Sequence, residues 1–378
     1  MLKAINIISF DVPFPANYGG VIDVFYKLKY FHKKGIKVHL HCFEYGRGEQ
    51  KELEQYCESV NYYKRKTGLA SFLGNKPYIV QSRVSKTLKE NLLQNDYPIL
   101  FEGLHTCFLL DDEQFKERLK VVRNHNIEHE YYEHLAIAEK NPYKKQYYKS
   151  EAKRLKLFED VLTYADIALS ISENDFHYFQ KQYPTLKNVL VPAFHQNEAA
   201  IIKEGKGDYA LYHGNLSVGE NIRAVEFIVD EVFNDLEIPL VIAGLNPSDE
   251  VKKLIDQYQH VRLVDSPTDD EINELIANAQ INFLYTQQAT GLKLKLLNVL
   301  FQGRYCIVNS QLLSGTSLNE ECIVVDEVDE MKRAITETFL KPFSSNMIAE
   351  RKQVLKNYSN DQIFLKMMNV LENSPQIK

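Results

Sequence analysis

The chain has 378 residues with ordinary apolar and charged fractions, enough for two domains that each bury a core. Five scattered cysteines with no C-x-x-C pair argue against a disulfide scaffold and for small buried thiols in a reducing compartment. The net charge of −6 is uneven: residues 1–200 carry 28 Lys/Arg against 25 Asp/Glu (+3) and residues 201–378 carry 17 against 26 (−9), which disfavours general nucleic-acid binding and leaves an anionic membrane surface open to the first half.

The first apolar run, INIISF, is too short for a signal-peptide core or a membrane span and reads as a strand, so a cytoplasmic protein is expected. A loop, DVPFPANYGG, follows it, then an amphipathic helix, VIDVFYKLKYFHKK, and a second strand, IKVHLHCF. Strand, glycine turn, helix and strand make a βαβ unit and predict a parallel sheet. Further strands are expected at 98–103, 120–126, 166–172 and 188–193, with a long charged helical stretch over 131–164 broken at Asn141–Pro142. A polar linker is expected at 196–207.

A second α/β series then begins. Strands are expected at 209–214, 239–244, 260–265 and 281–285, with helices at 221–234, 248–257 and 269–279. Next comes TGLKLKLLNVLFQGRYCIVNS, in which Gly291 opens a helical segment carrying Lys293 and Lys295 and ending at Gly303. A glycine turn at a helix start frees backbone N–H groups, and the helix dipole favours an anion there. Two nearby lysines make that anion a phosphate or diphosphate. A second glycine turn, HGNLSVGEN, supplies Gly214, Asn215 and Asn221. The alternation predicts two doubly wound Rossmann-like α/β domains facing a cleft, 1–195 and 206–345, with ligand at the carboxyl ends of the strands. The stripe Ile363, Phe364, Met367, Met368 and Leu371 predicts a last helix, within 360–375, packing back on the first domain.

Several side chains stand where a site would form. Gly19 and Gly20 close the first loop and either admit a phosphate or simply make a tight turn. Glu102 and His105 cluster at one strand end, and His125, Asn126 and Glu128 follow the next. The run His125-x-x-Glu128-His129, with His134 nearby, raises a metal site, but it starts at a strand end and lacks a second acidic ligand, so no metal is expected. Residues 140–156 hold seven basic side chains against one acid, Glu151, with Tyr143, Tyr147 and Tyr148 interleaved. That suits an anionic membrane surface at about 1 kcal/mol per basic residue; a solvated helix face and nucleic acid are the competing readings.

Taken together, PFPANYGG, RNHNIEHEYY, SISEND, HGNLSVGENIRA, VIAG, DEINELIANAQINFLY and GLKLKLLNVLFQGRYCIV resemble, over nearly the whole chain, a GT-B glycosyltransferase of the retaining, family-4-like branch found in bacterial polysaccharide assembly. The resemblance implies transfer of a sugar, with retention, from a nucleoside-diphosphate donor to a glycan or lipid-linked acceptor, with no cofactor or bound metal. It places the donor at Gly214, Asn215, Asn221, Thr290, Gly291, Lys293, Lys295 and Asn298, and His105 or Glu102 near the reacting carbon. Two departures stand out. Thr290 and Asn298 occupy the positions of a usual pair of glutamates, and Asn215 and Glu220 those of a usual Arg and Lys. They keep two alternatives alive: a sugar-nucleotide epimerase of the same architecture, and an inactive transferase-like partner subunit.

Overall fold

The computed structural model describes residues 2–68, 71–72, 74–287 and 294–375, and divides the chain into two compact units. Unit 1 comprises Met1–Gln196 and Asn360–Lys378; unit 2 is Asn197–Ser359.

Unit 1 is built on a seven-stranded parallel sheet of β1 (Ala4–Ser9), β2 (Lys37–Glu44), β3 (Ser59–Lys64), β4 (Ile99–Glu102), β5 (Lys120–Asn124), β6 (Ile167–Ser170) and β7 (Lys187–Leu190), in the order β3-β2-β1-β4-β5-β6-β7. Its helices are α1 (Gly19–Lys33), α2 (Tyr78–Gln81), α3 (Lys86–Leu92), α4 (Glu128–Ala138), α5 (Pro142–Phe158) and α6 (Glu173–Gln182). Helix α1 forms because Val21, Val24, Phe25, Leu28 and Phe31 recur at helical spacing and bury against one face of the sheet. The other face is covered by α3, the 3-10 turn Leu104–Leu109 and α6, through Leu88, Leu92, Leu109 and Phe179. The charged stretch after β5 is two helices: Asn141 caps α5, its side chain accepting from the amides of Tyr143 and Lys144, and Pro142 takes the first turn. Strand β3 went unread in the sequence because SVNYYK is an edge strand with mixed burial and no clear alternation.

Unit 2 carries a six-stranded parallel sheet of β8 (Ala210–His213), β9 (Leu240–Gly244), β10 (Val261–Asp265), β11 (Ile281–Leu284), β12 (Tyr305–Val308) and β13 (Ile323–Val324), in the order β10-β9-β8-β11-β12-β13. Around it lie α7 (Gly219–Phe227), α8 (Asp249–Ile255), α9 (Asp269–Asn278), α10 (Leu294–Gln302), α11 (Ser310–Leu313), α12 (Val328–Phe339) and α13 (Ser345–Leu355). The helix expected over 221–234 starts at Gly219 and ends in a π-helical turn, Ile228–Val232. A capping box, Thr268 with Glu271, starts α9. The unit extends beyond 206–345 at both ends: Ile201 N–H donates to Phe301 O, Gly205 bridges Phe343, and Leu355 of α13 packs in its core.

The last helix, α14 (Asn360–Glu372), belongs to unit 1. Ile363, Phe364, Met367, Met368 and Leu371 are buried with Ile5, Phe31 and Phe194.

Candidate functional site

In both sheets the strand order reverses beside the first strand, between β1 and β4 in unit 1 and between β8 and β11 in unit 2. Connections leave such a point toward opposite faces and open a crevice at the carboxyl ends of the strands. Glu102, His105, His125 and Glu128 fall at the first of these places, and Gly214, Asn215, Asn221 and Lys295 at the second.

In unit 1, Glu102 is the last residue of β4 and is fully buried. Its Oε1 accepts from Lys27 Nζ at 2.5 Å and its Oε2 lies 2.9 Å from His125 Nε2. Lys27 also donates to Asp23 at 3.2 Å, and Asp23 accepts from Arg123 Nε at 3.0 Å and Nη2 at 3.2 Å and from the Phe194 amide at 2.7 Å. Arg123 donates to the carbonyls of Val191 and Pro192. Two carboxylates thus balance two fixed cations inside a dry core. Burial opposes ionisation of Asp23, but Arg123, Lys27 and His125 outweigh it and hold its carboxyl far below the usual range. Against the same burial, Lys27 and the hydrogen bond from His125 hold Glu102 low. The structure therefore places Glu102 in an ionic network with Lys27 and His125 that joins α1, β4 and β5.

His105 follows Gly103 and remains partly accessible, with 21 % of its side chain exposed. Among the described residues its Nδ1 has no hydrogen-bond partner, and it lies 3.7 Å from Glu128 Oε1, beyond hydrogen-bonding distance. Burial first, and then the Arg83 guanidinium, push the His105 pKa well down, so the imidazole is neutral. Glu128, at the start of α4, is pushed up to about 8 by burial and by the Asp175 carboxyl; burial raises Asp175 to about 7. The ring of Phe10 lies 5.4 Å from His105 and 5.5 Å from His125, centroid to centroid. A Cβ on Gly20 would come within 2.5 Å of Phe10 Cζ, so only glycine lets α1 start this close. Gly19 is exposed and Asn126 half-buried; neither is tied into the cluster by a side-chain bond recorded among the described residues.

The four-residue metal grouping does not form. His125 pairs with Glu102, His129 Nδ1 lies 3.2 Å from Glu159, and His134 is exposed. Among the described residues, the group with metal-ligand spacing is Asp23, Glu102 and His125, within 4.8 Å of one another. Lys27 and Arg123 already occupy their carboxylates, which leaves no charge for a cation to neutralise.

In unit 2, the turn after β8 brings Gly214, Asn215, Asn221 and Lys295 together. Asn221 Nδ2 donates to Asn215 O at 2.9 Å, and Asn221 Oδ1 accepts from Tyr212 Oη at 3.2 Å and from Lys295 Nζ at 3.4 Å. The Lys295 ammonium also lies 5.4 Å from the Tyr212 ring centroid. Gly244, at the end of β9, permits the packing of this turn, since a Cβ there would overlap Gly214 O at 1.9 Å. Glu220 bonds to Thr286 Oγ1. Asn298 sits elsewhere on α10: its Oδ1 accepts from Gln302 Nε2 at 2.6 Å and its Nδ2 faces Asn273 Oδ1 at 3.4 Å. Thr290, Gly291 and Lys293 lie outside the described residues. An open groove of about 750 Å³ in this unit is lined by Lys206, Arg262 and Arg304 and by Asp208, Glu271 and Glu274. Much of it precedes β8, β11 and β12, at the opposite strand ends from the turn, and its charges balance.

Sequence reasoning missed Asp23, Lys27, Arg123, Phe10, Arg83 and His213. A signal existed for the first three: an Asp–Lys pair four apart inside an apolar helix face, and an arginine inside the strand KVVRN, mark buried ions.

No known family profile matches the chain. It is 27 % identical over 352 residues to an uncharacterized 44.6 kDa protein in the cps region of Klebsiella pneumoniae, covering 86 % of this chain and 88 % of that protein. Among solved structures it resembles sucrose-phosphate synthase from Thermosynechococcus elongatus, with a TM-score of 0.66, 14 % identity and coverage of 98 % of each chain. It also resembles a variant of S. aureus TarM solved with Fondaparinux, alpha-GlcNAc-glycerol and UDP, with a TM-score of 0.65, 12 % identity, and coverage of 99 % of this chain and 100 % of that one. These likenesses run end to end and carry both sheets. The chain has the fold of the GT-B glycosyltransferases.

Proposed function

We propose that the protein transfers a sugar from a nucleoside-diphosphate donor to a glycan or lipid-linked acceptor at the cytoplasmic face of a membrane. The observation that carries this reading is the grouping of Lys295, Asn221, Gly214 and Asn215 at the crossing point of the unit 2 sheet. As the bond from the sugar's anomeric carbon to the diphosphate oxygen breaks, negative charge grows on the leaving group. A fixed ammonium and backbone N–H groups stabilise that charge more in the transition state than in the ground state. A phosphate-bearing donor is what such a site would recognise, and the UDP in the TarM structure makes uridine diphosphate the first probe. His105, neutral and partly exposed, is the unit 1 side chain best placed to meet the sugar, with Glu128 behind it. Transfer with retention, and the acceptor, are carried by the sequence resemblance. Thermal-shift and calorimetric screening against nucleoside diphosphates, followed by a transfer assay with the sugar nucleotide that binds, tests the reading; binding of none of them would overturn it.

One observation favours a second reading. Asn298 is held by Gln302 and Asn273, so an amide network stands where the resemblance implies a donor-binding side chain. A partner subunit that kept the fold and lost transfer would show binding without turnover.

A further inference from the structure

We propose that His213 is a neutral hydrogen-bond donor to the diphosphate, acting beside Lys295 and Asn221; this rests on the donor-binding reading of unit 2. His213 is the last residue of β8, at the crossing point, and is 7 % exposed. Its Nε2 is buried without a hydrogen-bond partner among the described residues. The polar groups of the turn that follows it are already engaged. The Gly214 amide donates to Ala243 O, Tyr212 Oη to Asn221, Asn221 Nδ2 to Asn215 O, and Glu220 is bonded to Thr286. Buried side-chain nitrogens are rarely left in this state, and an orphan beside a ligand-type turn points to a partner that arrives with the ligand.

The chemistry of the surroundings selects that partner. Lys295, the charged group acting on His213, is itself a donor. Phosphate oxygens only accept, so the productive tautomer carries its proton on Nε2. Burial and then the Lys295 ammonium push the ring down to about 3, which keeps it neutral at physiological pH. A neutral donor has an advantage here over a second cation. It adds a hydrogen bond without repelling Lys295, and that bond strengthens as charge grows on the departing diphosphate. From sequence alone this role is hidden, since a histidine ending an apolar strand reads as core.

Calorimetry on the full chain, with UDP, other nucleoside diphosphates and inorganic pyrophosphate as probes, tests this. His213→Leu should weaken binding about tenfold or more, the loss of one hydrogen bond to a charged group. His213→Gln, which restores an N–H, should recover part of the loss. Ring ¹⁵N shifts of the wild-type chain at pH 7 should report a neutral imidazole protonated at Nε2, and that signal should move on adding the bound probe. Wild-type affinity in a folded His213→Leu variant, or an Nε2 signal unprotonated or unmoved by ligand, would overturn the role of His213 alone. A wild-type chain that binds neither pyrophosphate nor any nucleoside diphosphate would overturn the donor site and this proposal together.

Discussion

Glu128 and Asp175 are buried carboxyls raised to about 8 and about 7, chiefly by loss of water. In the unfolded chain both ionise near pH 4. Between there and their folded values the native state holds protons that the unfolded state has released, so stability falls as pH rises through that window. Asp23 and Glu102 have the opposite sign: their folded pKa values are depressed, so their contribution is present above about pH 4 and lost as pH falls further. Denaturant midpoints should therefore drop from pH 5 to pH 8, and Glu128→Gln or Asp175→Asn should flatten that slope. Glu102→Gln leaves Lys27 with one carboxylate in a dry core and should cost about 3 kcal/mol or more of unfolding free energy, measured by urea titration. At the turn after β8, Lys295→Ala should weaken nucleoside-diphosphate binding by about tenfold or more in calorimetry; unchanged affinity would remove Lys295 from the proposed site.

Among the elements, the pair α4 and α5 carries the basic run at 140–156. The one acid inside 140–156, Glu151, is buried, bonded to Arg154 and to the Tyr78 amide. Lys140, Lys144, Lys149 and Lys153 are exposed, among polar neighbours such as Gln146 and Ser150, and Ile137, Tyr143 and Leu157 are each at least three-quarters exposed. That pattern supports docking to an anionic bilayer: apolar tips to insert and ammonium groups to meet headgroups. Flotation should recover the protein with anionic and not neutral liposomes, less as salt rises, and charge reversal at Lys144, Lys145 and Lys149 should abolish recovery. Equal recovery on both lipids would exclude it. Helix α14 makes a different kind of element-scale test. Phe364→Ala removes a ring packed between Tyr30 and Phe31 and should cost about 3–5 kcal/mol in chemical denaturation.

For the whole molecule, a single-turnover assay with the bound sugar nucleotide separates the readings, since an epimerase converts the donor without an acceptor and a transferase leaves its sugar intact until one is added. No helix among the described residues is long and apolar enough to cross a membrane. The architecture was legible because strands buried on both faces read as unbroken apolar runs, such as INIISF and PLVIAG, separated by glycine turns. The grouping of Gly214, Asn215, Asn221 and Lys295 was legible because its residues stand in turn and helix-start positions with their chemistry exposed in the pattern. The unit 1 network was not. Asp23, Lys27 and Arg123 meet across 100 residues of chain, and only the order of strands in the sheet makes them neighbours. The pairing of Glu102 with Lys27 and His125 was equally hidden, because position alone does not tell which strand-end carboxylate is already paired.

Asn360 opens α14, and its side chain both accepts from the His195 amide and donates to the His195 carbonyl. One amide thereby offers residue 195 the two bonds that a neighbouring strand would provide, at the point where the first crossing of the chain leaves unit 1. Amide exchange gives this a readout. The His195 N–H should exchange as slowly as a sheet proton although it lies outside every strand, and Asn360→Ala should release it while the amides of β1 stay protected. A chain ended at Ser359 would lose both bonds and bare the apolar surface under Ile363 and Met367, so the last helix both pins residue 195 and covers one face of the sheet.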